Sequence, residues 1–166
     1  MDFTTRAVGL GGVTIGLCIL AWTLTAWWMR DKHKPAAIAP YLLSACYGIL
    51  IVLSTGGLLG AVAGVALWGG NTAGAAALEY GVGGTAPDVT RSSPLTLTPG
   101  GHVLVLLATV VLAGIWKFSG KLRGRRVPAG IITGICLGLS GGIAGWAAVV
   151  LAPAVNIPGD LIAGLL

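Results

Sequence analysis

Long uncharged stretches alternate with short polar ones along this chain, and the alternation predicts its elements. Residues 7–29 carry no charge. As a helix they reach about 34 Å, enough to cross a hydrocarbon core about 30 Å thick. The stretch is too long for the apolar core of a cleaved signal. It also ends in "WWMRDK" rather than in small residues, so it reads as a retained span. Residues 35–78 are uncharged too, which is more than one crossing can use. Two readings compete there. One is a single span over about 41–68 followed by a Gly/Ala-rich exit; the other is two spans parted by a turn at "STGG", 54–57. Residues 101–117 predict a shorter span whose terminal Lys117 can snorkel to the headgroups. Residues 128–151 predict another, and Pro128 suits a first helical turn, where its missing N–H is harmless. Between them, 70–100 holds Pro87, Pro94, Pro99 and a Ser/Thr cluster, and reads as a long outer loop with a short helix at most in "TAGAAALEY". The apolar tail 153–166, with Asp160 its one charge, is too short to cross and is expected in the interface.

The basic residues arbitrate between the readings. Arg30, Lys32 and Lys34 follow the first span; Lys117, Lys121, Arg123, Arg125 and Arg126 follow the third. These are eight of the ten basic residues. Four passes put both clusters on one side, whereas five put them on opposite faces. The positive-inside rule therefore favours four spans, with both basic loops in the cytoplasm and both termini outside. Trp27, Trp28, Trp116 and Phe118 then fall at inner span ends and Trp68 at an outer one, as aromatic rings at headgroup level should. The predicted fold is all-α: a single polytopic membrane domain over 1–166, its four transmembrane helices arranged as two hairpins with Gly-rich helix–helix packing. Each half reads as a span, a basic loop and a proline-led span, "KPAAI" at 34–38 and "VPAGI" at 127–131. The echo fits either a duplication or shared loop chemistry.

Glycine placement adds a packing expectation. "GIITGICLGLSGG" puts Gly130, Gly134, Gly138 and Gly142 on one helical stripe. In water each interior glycine would weaken a helix by roughly 0.5–1 kcal/mol relative to alanine. In lipid, where apolar contact brings no hydrophobic gain, small residues let backbones approach closely. Gly56, Gly60 and Gly64 make a similar ladder in the second span, and Gly12 and Gly16 a single step in the first. These stripes are expected at tight helix crossings, within one chain or between copies.

Composition narrows the class further. The chain is 55% hydrophobic and 9% charged, against about 25% charged in soluble domains, so no water-facing surface can be built from it. Its formal net charge of +5 would suggest nucleic acid in a soluble protein. Here the two loops account for it through orientation, and nucleic acid is not an expected partner. The expected partners are the bilayer, anionic headgroups at basic loops such as "KFSGKLRGRR", and a second copy or another membrane protein.

No catalytic, cofactor-binding or metal site is expected. The four spans hold no Asp, Glu, Arg or Lys between their ends. The chain is similar to small multidrug exporters in size and pass number, but that family relies on a membrane-buried glutamate that these spans lack. Cys18, Cys46 and Cys136 share no ligand spacing and read as apolar packing residues. His33 belongs to a charged loop. His102 has only Glu79 and Asp88 as conceivable acid–base partners. The hydroxyls of the spans, Thr14, Thr23, Thr25, Ser44, Ser54, Thr55, Thr109, Thr133 and Ser140, are expected to bond within the helices. The expected function is therefore non-enzymatic: an accessory or scaffold subunit of a bacterial envelope assembly in the inner membrane, acting by helix association. In size, basicity and its Gly/Ala/Val-rich composition the chain also resembles the small membrane spread proteins of actinobacterial conjugative plasmids, which implies a role in plasmid transfer. A third expectation is an oligomeric, holin-like pore, although holins usually end in a charged cytoplasmic tail.

Overall fold

The computed structural model describes residues 8–31, 33–54, 56–90, 96–118, 126–141 and 145–165. Within these ranges the protein is all-α, built from α1 (Leu10–Arg30), α2 (Pro35–Leu53), α3 (Gly57–Val82), α4 (Pro99–Phe118), α5 (Arg126–Gly138) and α6 (Trp146–Ala163). Four of them, α1, α2, α3 and α6, are long and apolar enough to cross a membrane. The protein is thus a polytopic membrane protein.

These four helices differ from the four expected spans, and the backbone explains why. The expected single span over 41–68 breaks after Leu53. Gly56 is extended (φ −148°, ψ 178°) and Gly57 is left-handed (φ +71°), and neither conformation continues a right-handed helix. The expected span over 128–151 stops at Gly138 and resumes at Trp146. The apolar tail is not a separate interfacial segment, because 153–163 is the continuation of α6. Nor is 70–100 wholly a loop. Helix α3 runs through it to Val82 and ends on Gly83 (φ +69°), where the Gly83 and Gly84 N–H groups donate to the carbonyls of Glu79 and Leu78. This is the double closure that a left-handed glycine permits. Residues 84–90 then fold back onto the start of α1. The Leu10 N–H donates to the Pro87 carbonyl at 2.7 Å, and the Val89 N–H to the Val8 carbonyl at 2.8 Å.

Helices α2 and α5 lie side by side and run in the same direction. Gly130 sits against Tyr41 and Ser44, Gly134 against Ala45, and Gly138 against Ile49 and Val52. Their starts share one end of the molecule, where Arg126 of α5 pairs with Asp31 and donates to the Ala37 carbonyl. This is the basic end. Helix α1 descends to it; α3 and α6 finish at the opposite end, Gly74 against Gly11 and Gly159 against Gly100. Each return from the basic end is therefore made by two helices, α2 then α3 and α5 then α6.

The two halves are built alike. Gly11 of α1 touches Gly74 of α3, and Gly100 of α4 touches Gly159 of α6. The Gly9 N–H donates to Asn71 Oδ1 at 3.0 Å, and the Thr98 N–H to Asn156 Oδ1 at 3.0 Å. Ala63 and Leu67 are the buried apolar side chains of α3; Ala148 and Ala152 hold the matching places of α6. Between the halves the contacts exchange: Gly48 abuts the Ile131 carbonyl, and Gly134 abuts the Ala45 carbonyl. Such reciprocity is the mark of a two-fold relation, here running along the α2–α5 pair.

Candidate functional site

Helices α2 and α5 approach each other closely along their length. At Gly48, Gly130 and Gly134 an added Cβ would collide with backbone or with Ser44 Oγ of the facing helix, and at Gly138 it would press on the Val52 side chain. The ridge of α5 seen in the sequence is therefore consumed inside the chain, with α2 as its partner. Two hydrogen bonds flank the contact. Tyr41 Oη donates to Thr133 Oγ1 at 3.0 Å, and Tyr47 Oη donates to Thr109 Oγ1 of α4 at 2.7 Å.

The other expected packing glycines divide. Gly12 lies against the Asn71 side chain, and Gly16 against Cys136 and Leu137 of α5. Gly60 is buried and Gly64 half-buried. Gly56 packs against nothing within 4 Å; as the residue before α3 it is part of the break, so the expected 56–60–64 ladder does not form. Gly142 lies outside the described residues. Sequence reasoning missed Gly11, Gly48, Gly74, Gly100 and Gly159, along with Asn71 and Asn156. The paired glycines at 11–12 and 100–101, and two asparagines within apolar surroundings, were the available signals.

Of the basic residues, Arg30, Lys34 and Lys117 are exposed and Arg126 is half-buried in its pair with Asp31. Lys32, Lys121, Arg123 and Arg125 lie outside the described residues. The α1–α2 turn is tight: Trp27 Nε1 donates to the Lys34 carbonyl at 2.8 Å, and His33, left-handed at φ +60°, stands edge-on to Trp28 with ring centroids 3.9 Å apart. The α1–α2 turn and the beginning of α5 thus form one cationic, aromatic end.

His102 meets neither Glu79 nor Asp88 in a hydrogen bond; its Nδ1 donates to the Thr98 carbonyl at 2.8 Å, one turn back. The hydroxyls of Thr14, Thr23, Thr109 and Thr133 likewise donate to carbonyls four residues back, and those of Ser44 and Ser140 to carbonyls three back. Cys18 is exposed, Cys46 half-buried and Cys136 buried beneath Gly70. Among the described residues no three His, Cys, Asp or Glu gather in a way that would hold a metal ion. Compared with known proteins, no family model matches the chain, and no curated protein or solved structure matches it.

Proposed function

We propose that this multi-span membrane protein acts by association, as a non-enzymatic accessory or scaffold subunit of a bacterial envelope assembly. The observation that carries this reading is the division of labour between inner and outer faces. Small and hydroxyl-bearing residues are spent on contacts within the chain. Beyond the buried core, large apolar side chains face outward: along α3, Leu58 is 82% exposed, Val62 55% and Val65 57%. Such a surface meets lipid or another membrane helix, where fit rather than hydrophobic gain selects the partner. The back-bonded hydroxyls favour this reading over a hydroxyl-lined pore. In the same reading the cationic end faces the cytoplasm and the opposite end, where α1 begins and α6 finishes, faces out.

The test is co-purification in mild detergent. A specific membrane partner or a defined oligomer should travel with the chain through affinity capture and light-scattering chromatography. A solitary monomer at every concentration would overturn the reading. Leakage of a small dye from protein-loaded liposomes would favour the pore instead.

A further inference from the structure

The two-fold likeness fails where α1 and α4 meet the central pair. Helix α1 packs along α5, with Gly16 pressed on Cys136 and Leu137. Helix α4, the counterpart of α1, touches α2 only sparingly. The cause is visible in the sequence. Gly16 lies four residues after Gly12; the residue four after Gly101 is the bulkier, buried Val105. A crevice is left between α4, α2 and the start of α5. It comprises two adjoining cavities of about 190 and 370 Å³ that share Leu112, Trp116 and Val127 as walls. Leu43 and Trp116, 68% and 51% exposed, stand at its open side.

We propose that this crevice holds an acyl chain of an anionic phospholipid from the leaflet at the basic end. A flexible acyl chain can enter both cavities, whereas a helix about 10–12 Å across could only lie over the open side with a side chain in it. The walls are apolar from Trp116 down to Tyr47 and Thr109, whose hydroxyls are engaged, Tyr47 donating to Thr109 and Thr109 to the Val105 carbonyl. Charge fixes the headgroup. Lys117 directly follows Trp116, Lys34 lies two residues before the wall residue Ala36, and Arg126 directly precedes Val127. Lys34 and Lys117 are thus the exposed cations nearest the mouth, Arg126 being held by Asp31 and the Ala37 carbonyl. A phosphate at that level is attracted by them, while the indole of Trp116 sits where such rings prefer to lie. The inference does not rest on the association reading, because lipid retention is scored on a single chain.

The experiment reconstitutes the full chain into phosphatidylcholine vesicles containing phosphatidylglycerol, re-extracts it in mild detergent and counts retained lipids by native mass spectrometry. One phosphatidylglycerol per chain should survive extraction. Ala113→Trp, which fills the crevice from α4, should lower its occupancy at least tenfold, and Ala39→Phe should do the same from α2. Leu161→Trp, on the exposed face of α6, should leave it unchanged. Lys117→Ala should cut the preference for phosphatidylglycerol over phosphatidylcholine roughly fivefold. Equal retention by the wild type and both filling variants would overturn the proposal. So would a wild-type chain that keeps no lipid, or one whose crevice is closed by a second copy or a partner helix.

Discussion

A single methyl group separates two kinds of glycine in this protein. At Gly48 and Gly134 a Cβ would strike a backbone carbonyl of the facing helix, whereas at Gly69 and Gly114 it would meet nothing within 4 Å. Gly48→Ala and Gly134→Ala should therefore destabilise the fold by about 1–3 kcal/mol, the usual cost of forcing extra volume into a packed contact. Gly69→Ala and Gly114→Ala should be neutral or stabilising by up to about 1 kcal/mol through helix propensity. Thermal unfolding in detergent, followed by circular dichroism, separates the pairs. The stripe at 130, 134 and 138 was legible from sequence because its spacing matches the helical repeat. Its partner was not: Gly48 is a lone glycine in α2, and the carbonyls it approaches leave no trace in a one-dimensional pattern.

The breaks and caps are properties of elements. Gly57 sits at φ +71° with open space around it, so Gly57→Ala should cost about 1–2 kcal/mol from the left-handed backbone alone. Gly56→Ala, extended and equally open, should cost much less in the same unfolding assay. Asn71 and Asn156 each accept an N–H from the residue that precedes a helix-initiating pair. Asn71→Ala and Asn156→Ala should each cost about 1–3 kcal/mol by leaving that donor unsatisfied. Because the two sites lie in different halves, the double variant should show the sum. Sequence reading resolved the 35–78 run by charge and chose one span. Helices α2 and α3 together lead from the basic end to the opposite end once. The break within that passage stood in the sequence as the candidate turn at "STGG"; charge argued against it because a break that leaves the next basic loop on the same side is invisible to the positive-inside rule. The internal echo was heard in the wrong register as well. The prolines at 35 and 128 are not counterparts; Gly48 and Gly134 are, as are the breaks after "LS" at 53–54 and 139–140.

Over the whole molecule, the described cations Arg30, Lys34, Lys117 and Arg126 gather at one end, and that grouping is legible because orientation charge is a sequence-level signal. The function was far less so, since nothing buried in the spans is reserved for chemistry that residue types announce. The end opposite the cations gathers residues 8–10, 84–90, 97–101 and 156–160, and the C-terminal turn of α6 belongs to it. A phosphatase fused after Leu166 should be active outside the cytoplasm, and a fluorescent protein fused there should stay dark. The reverse pattern would invert the orientation proposed above. The parallel course of α2 and α5 has one more consequence. Because the halves run the same way, and basic residues follow the descending helix in each, the positive-inside rule would assign each half the same sidedness on its own. On that rule neither half depends on the other to decide which way to face.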